Sequence, residues 1–128
     1  MSTQRHELAE ARYRNERKRI IFEKWLKMGL VQFNFDATRE DVAMPEHAKG
    51  DHDYWIACVE AEIYTSHVEG TCHPPRGKPF QFSVPWDAVH AMYSKAVHER
   101  HIWLEDVDRN AKRQEVRRMA KTGKALPS

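Results

Sequence analysis

Residues 77–93, GKPFQFSVPWDAVHAMY, constrain the fold of this chain more than any other stretch. Phe80, Phe82 and Val84 alternate with Gln81 and Ser83, the period of a strand with one apolar face. Pro85 stops the alternation, and Ala88, Val89, Met92, Tyr93 and Ala96 then follow a helical spacing. Proline is tolerated in a first helical turn, where its missing N–H has no partner, and Asp87 suits the positive end of a helix. The stretch therefore predicts a strand that passes directly into a short helix across Val84, Pro85 and Trp86, entered through a bend at Gly77, Lys78 and Pro79.

The elements upstream follow by the same patterning. Ile21, Trp25 and Met28, with Phe22 and Leu26, form a broad apolar helical stripe, and Gly29 stands where a C-cap is needed. Val31, Phe33 and Phe35 alternate with Gln32, Asn34 and Asp36, which predicts a half-buried strand; a turn, ATRED, and a short VAMP segment interrupted at Pro45 come next. Residues 54–63, YWIACVEAEI, are aromatic and β-branched enough for a strand. Trp55, Ala57, Val59, Ala61 and Ile63 share its predicted core face, while Ile56, Cys58 and two glutamates share the other. Residues 65–78 contain two prolines and two glycines and read as a loop with at most a weak strand.

With 128 residues, 41% of them hydrophobic and 31% charged, the chain suits one domain around one small core. No run reaches the roughly 18 apolar residues of a membrane span, and the N-terminus lacks the apolar segment of a secretory signal, so a cytoplasmic protein with no membrane partner is expected. Cys58 and Cys72, without an export signal, read as free thiols. The net charge of +2 conceals a segregation: residues 1–27 are net +4, residues 28–108 net −8 and residues 109–128 net +6. The implied organisation is a basic N-terminal extension (1–17), a folded domain (18–105) and an exposed basic tail (106–128). Basic ends of this kind serve nucleic-acid contact or attraction between copies, or are simply solvated.

Catalytic and metal chemistry find little support. His67, Cys72 and His73 lie close together in sequence, with Cys58 upstream, but no paired metal-ligand spacing occurs, so no metal and no cofactor is expected. Cys72 and His73 are adjacent, and adjacent residues of an extended strand point to opposite faces, which prevents mutual activation. The expectation is a protein without catalytic residues, not an enzyme. Trp55, Trp86 and Trp103 together with the basic ends offer an alternative, a small nucleic-acid-binding protein that stacks bases and neutralises phosphates.

Three blocks in register carry a resemblance. Asp41-Val42-Ala43-Met44-Pro45-Glu46, the strand around Trp55 and Ile63, and Gly77-Lys78-Pro79 running into Ser83-Val84-Pro85-Trp86-Asp87-Ala88-Val89, behind a helix containing Phe22-Glu23-Lys24-Trp25-Leu26, resemble the stringent starvation protein B (SspB) family over about residues 18–97. The resemblance implies an α+β, mainly β fold: a small bent antiparallel sandwich or half-barrel of Sm/SH3-like character, with an N-terminal helix and a short helix after the last strand. It also implies an adaptor without chemistry of its own, which grips an extended peptide or degradation-tagged protein, such as an ssrA-type tag, for the ClpX unfoldase and pairs with a second copy through its helix.

Carried onto this chain, the peptide groove would involve Met44, Trp55, Ile56, Cys58, Gly77, Pro79 and Phe80, and the homodimer interface Phe22, Trp25 and Leu26. Two departures from the family pattern stand out. Gly70, Pro74 and Pro75 interrupt the segment before the bend, and basic KRQEVRRMAKTGKALPS replaces the acidic linker and docking end that engage ClpX. The expectation is a binding body without the usual tether, as in a bacterial, mobile-element or phage version of such an adaptor.

Overall fold

A computed structural model of the chain describes residues 2–46, 49, 53–74 and 76–121. The fold is α+β and mainly β, with two helices and two antiparallel sheets. Helix α1 (Ser2–Leu26) leads into β1 (Val31–Asp36), β2 (Asp53–Cys58), β3 (Ala61–Ile63), β4 (His67–Cys72) and β5 (Phe80–Pro85); a 3-10 turn (Trp86–Ala88) follows, then β6 (Val89–Ser94), β7 (Glu99–Ile102) and helix α2 (Leu104–Lys121). The larger sheet has the order β2-β1-β6-β7 and the smaller β3-β4-β5; they face each other without closing into a barrel.

The core lies between the sheets and under α1. Val31, Phe33 and Phe35 of β1, and Phe80, Phe82 and Val84 of β5, are all buried, as their alternation requires. Phe33 is the centre of an aromatic cluster, with ring centroids 5.5 Å from Phe22, 5.5 Å from Phe35 and 5.7 Å from Phe82. Gly29, three residues past the end of α1, has a φ of +146°, a backbone conformation that favours glycine, in the link from α1 to β1.

Four features depart from the sequence expectation, each for a physical reason. The predicted helix beginning at Ala88 is strand β6, which lies between β1 and β7. Its residues Val89, His90, Ala91 and Met92 are all buried, and a strand covered on both faces loses the alternation that distinguishes it from a helix. The chain after Ser94 turns through His98, at φ 55°, into β7 instead of continuing a helical turn.

The face assigned to residues 54–63 is inverted over its first half, whereas Ala61 and Ile63 pack against the core as expected. Ile56 pairs with Phe33 and Cys58 with Val31, so they share the core face of β1, whereas Trp55 and Val59 are exposed. The stretch is also two strands in two sheets, broken at Val59 and Glu60. Residues 67–72, expected to be loop with at most a weak strand, form β4, the central strand of the smaller sheet. Pro74 and Gly77 lie beyond the strand, and Gly70 sits within it because a Cβ there would stand 3.0 Å from Phe82 Cζ and 3.2 Å from the Glu60 carbonyl oxygen.

The ends fold as helices. Residues 2–26 are one continuous helix, and residues 104–121 form α2, so the boundaries drawn after residues 17 and 105 fall inside helices. On α1 the inward face runs through Ala11, Lys18, Phe22 and Trp25, while Met28 is exposed. The inward face of α2 is polar: Asp106 is 2% and Asn110 1% exposed, which explains why no apolar stripe announced the helix. Its charge order suits a helix nonetheless, with Glu105 and Asp106 in the first turn and arginines towards the other end.

Candidate functional site

Trp86, the residue at which the chain leaves β5, fixes the site. Its indole is 1% exposed and lies 5.7 Å from the Phe22 ring. The indole N–H donates to the Tyr64 carbonyl at 2.9 Å and the backbone N–H to the Ser66 carbonyl at 3.3 Å, so Trp86 holds the β3–β4 hairpin. Its own carbonyl accepts from Lys18 Nζ at 2.7 Å. Lys18 is fully buried, sits 5.4 Å from the Trp103 ring centroid and pairs with Asp106 at 2.7 Å; Arg14 donates to both oxygens of the same carboxylate at 3.2 Å. Burial would raise the Asp106 carboxyl, but Lys18 and Arg14 outweigh it and hold the group below its ordinary value. Burial lowers the Lys18 ammonium, partly offset by Asp106.

The hairpin that Trp86 anchors forms one wall of a cleft of about 950 Å³. The cleft takes in the polar outer face of the smaller sheet, where Glu62, Glu69 and Ser83 stand in one cross-strand row and Thr71 opposes Gln81. It also reaches Leu30, Ala57, Cys58, Val59 and Glu60 at the end of the larger sheet. Glu62 accepts from the Tyr64 hydroxyl at 2.5 Å, and that hydrogen bond raises the phenol pKa. Glu69 lies 2.9 Å from His67 Nε2.

The free edge of β5 opens into this cleft. Ser83 exchanges both backbone hydrogen bonds with Ala43, at 2.9 and 3.0 Å, so its N–H and C=O point away from β4. By antiparallel alternation the backbone of Gln81 points the same way. The residue that would pair with it is Pro45, which has no N–H, and the pairing stops after a single bridge. Gln81 has no outward backbone partner among the described residues.

The residues singled out in the sequence are distributed around this cleft and do not converge on it. Cys58 lines it, buried, with its thiol pushed up to about 12 by burial and by neighbouring Cys72; both cysteines are free. Such a thiol is protonated at neutral pH and is not a nucleophile. Ile56 and Phe80 belong to the core, and Met44 packs against it beside the Ala43 bridge. Gly77, at φ 111°, and Pro79 are exposed in the bend before β5. Trp55 is half exposed over a separate hollow with Asn34, Asp53, His90 and α2. Phe22 and Trp25 are buried in the chain's own core and Leu26 packs against it. The two glutamates after Cys58 and the β4 segment held the better signal, because charged residues ending an apolar strand mark where a sheet meets solvent.

The hollow under Trp55 contains an Asp–His pair, with Asp53 Oδ2 3.0 Å from His90 Nδ1. Arg39 donates to Asn110 Oδ1, which fixes the amide so that Asn110 Nδ2 faces both the Asp87 carbonyl at 3.1 Å and His90 Nε2 at 2.8 Å. Both ring nitrogens of His90 are therefore engaged within the protein, Nδ1 by Asp53 and Nε2 by Asn110. The network is a structural tie between β2, β6 and α2. Among the described residues no group of three or more metal-ligating side chains comes together, and no helix is long and apolar enough to cross a membrane. Compared with known proteins, the chain matches no family model and no curated protein significantly.

Proposed function

We propose that this chain is a non-enzymatic binding protein that takes an extended peptide into the cleft of the smaller sheet, the activity implied by its resemblance to the SspB adaptors. The observation that carries the reading is the backbone edge of β5 at Gln81, unpaired among the described residues and lying inside a cleft of about 950 Å³. A peptide laid beside that edge continues the antiparallel pairing that Pro45 ends, with backbone hydrogen bonds supplying affinity and alternate side chains entering the cleft. Pairing of two copies through α1, which the resemblance also implies, would use Tyr13 and Ile20, 63% and 50% exposed, because Phe22 and Trp25 are committed to the core.

A second reading rests on a hollow of about 600 Å³ beside α2, lined by Arg39, Lys112, Arg113 and Arg117 together with Glu40 and Asp41. It suits an anion such as a nucleic-acid phosphate. Arg39 is held by both oxygens of Asp41, however, and Arg117 by Glu40 and the Thr38 carbonyl, while Arg113 lies within the field of Asp41, so much of the positive charge is already countered.

Binding of labelled ssrA-type peptides and of a random single-stranded oligonucleotide, each at two salt concentrations, separates the readings. The peptide reading expects saturable binding that changes little with salt and is lost in Thr71→Trp, which fills the cleft from the exposed face of β4. Oligonucleotide binding that falls steeply with salt, with no peptide bound, overturns it. Because α2 is helical and tied to the body as far as Arg117, its basic residues up to that point do not form a free tether. The chain is therefore expected not to stimulate ClpXP degradation of a tagged fluorescent protein, and stimulation lost on truncation after Asp108 would identify α2 as a docking element.

A further inference from the structure

The outer face of the larger sheet holds a feature that neither the core nor the cleft explains. Trp55 is 52% exposed, yet its ring is fixed in place. It is the direct cross-strand partner of Asn34, whose carboxamide oxygen accepts from the indole N–H at 3.1 Å. The amide nitrogen of Asn34 faces Asp53 Oδ2 at 3.2 Å, and the same oxygen lies 3.0 Å from His90 Nδ1. Asn110 and Arg39 continue the chain inward from His90 Nε2. An exposed indole held in this way is a preorganised surface, because the cost of immobilising it is met before any ligand arrives.

Trp55 stands over a hollow of about 400 Å³ between the sheet and α2, with Val107 and Ala111 as its apolar side. Two polar groups in it have no hydrogen-bond partner among the described residues: Asp53 Oδ1, since Asn34 and His90 both face Oδ2, and the carboxamide of Gln114. Among the described residues no lysine or arginine lines the hollow, and with Asp53 present it disfavours phosphates and carboxylates. The matching ligand has a flat, weakly polar face for the indole and hydroxyl groups at its rim, which donate to Asp53 and exchange hydrogen bonds with Gln114. A nucleobase offers the face, but nucleotides bring phosphates. A pyranose ring with equatorial hydroxyls offers both the face and the rim.

We propose that this hollow is a saccharide-binding site that takes one neutral pyranose ring of glucose-like configuration, its axial C–H face stacked on Trp55 and its hydroxyls held by Asp53 and Gln114. The C–H groups of that face carry partial positive charge and meet the negative face of the indole. The site is separate from the β5 edge and does not depend on the peptide-binding reading.

Saturation-transfer NMR on the full chain tests this, with methyl β-glucopyranoside, adenosine and arginine methyl ester as separate probes. The expected result is transfer to the axial hydrogens of one face of the glucoside, with a dissociation constant of about 1 mM, the scale for so small a ligand. Trp55→Ala should weaken binding about tenfold, and Trp55→Phe, which keeps an aromatic face without the N–H that Asn34 holds, should lose less. Gln114→Ala should weaken it about threefold at an unchanged melting temperature, since that side chain has no partner in the protein to lose, and this variant carries the test if the Trp55 variants fold poorly. No transfer to the glucoside at concentrations up to about 50 mM overturns the proposal, as does glucoside binding that neither the Trp55 nor the Gln114 variants change. Binding of adenosine or of arginine methyl ester in place of the glucoside overturns the saccharide class and assigns the indole to a base or to a cation.

Discussion

The two helices dock on the same body by opposite means. The C-terminal half of α1 lays Phe22 and Trp25 into an aromatic core, so its attachment is hydrophobic. α2 has no such stripe; it is held by buried Asp106 on Lys18 and Arg14, by Asn110 on His90 and the Asp87 carbonyl, and by Arg117 on the Thr38 carbonyl. An apolar seam tolerates small misfits, whereas a buried polar seam requires every partner to be present. The seams meet at Trp86, whose ring belongs to the first and whose carbonyl belongs to the second.

The largest expected effect comes from cutting where they meet. Trp86→Ala removes a fully buried indole and releases the hairpin that walls the cleft, so it should cost about 3–5 kcal/mol in urea unfolding. It should also weaken peptide binding under conditions where the variant remains folded. A loss below about 1 kcal/mol would show that the core closes over the gap.

That effect was legible in the sequence, and the reason is instructive. The alternation of Phe80, Phe82 and Val84, the break at Pro85 and the stripe containing Phe22 and Trp25 all concern apolar burial, which leaves a periodic trace. β6 does not read as a strand because burial on both faces erases that trace, and Trp55 reads as a core residue because both faces of β2 begin with apolar residues. α2 was hidden because its inward residues, Asp106 and Asn110, are those that ordinarily face water. Lys18 is the extreme case: a cation at 0% exposure, legible only once Asp106 is placed beside it. The cleft is hard to read for a related reason: one of its walls is the polar face of the smaller sheet, while the expected groove residues are mostly apolar.

The polar seam is tested next by Asp106→Leu. It leaves the Lys18 ammonium buried without a carboxylate bonded to it, keeping only the Trp86 carbonyl as a hydrogen-bond acceptor beside the Trp103 ring, and breaking a buried pair in this way costs about 3 kcal/mol or somewhat more. Thermal unfolding at neutral pH measures it. A near-neutral result would mean that Lys18 reaches water and that α2 is held elsewhere.

Acid should find the same seam with a smaller effect. Asp106 titrates below its ordinary value of 3.8 in the folded chain, so its pairing stabilises the fold above that value. The contribution is lost as pH falls from there through the folded value, because the unfolded chain binds the proton first. Asp106→Asn should therefore be less stable than the native chain at pH 6, and the difference should narrow below pH 3.8. A difference independent of pH would assign the cost to geometry and not to charge.

The smallest net effect should come from replacing the ion pair outright. Lys18→Met with Asp106→Leu removes both charges and their desolvation penalty, a change that is often neutral or stabilising when the volume is kept. Here the Trp86 carbonyl loses its lysine donor, and an unsatisfied buried acceptor costs about 1–3 kcal/mol. Arg14, whose side chain is 13% exposed, can turn towards solvent. The double variant should consequently be less destabilised than Asp106→Leu alone, with the remaining loss set by that carbonyl. If the double variant is the worse of the two, the pair contributes through more than charge balance, and the polar seam is then a specific lock of α2 onto α1. If it exceeds the native chain in stability, the seam was retained at a cost to stability, and the apolar seam of α1 is sufficient to hold the fold.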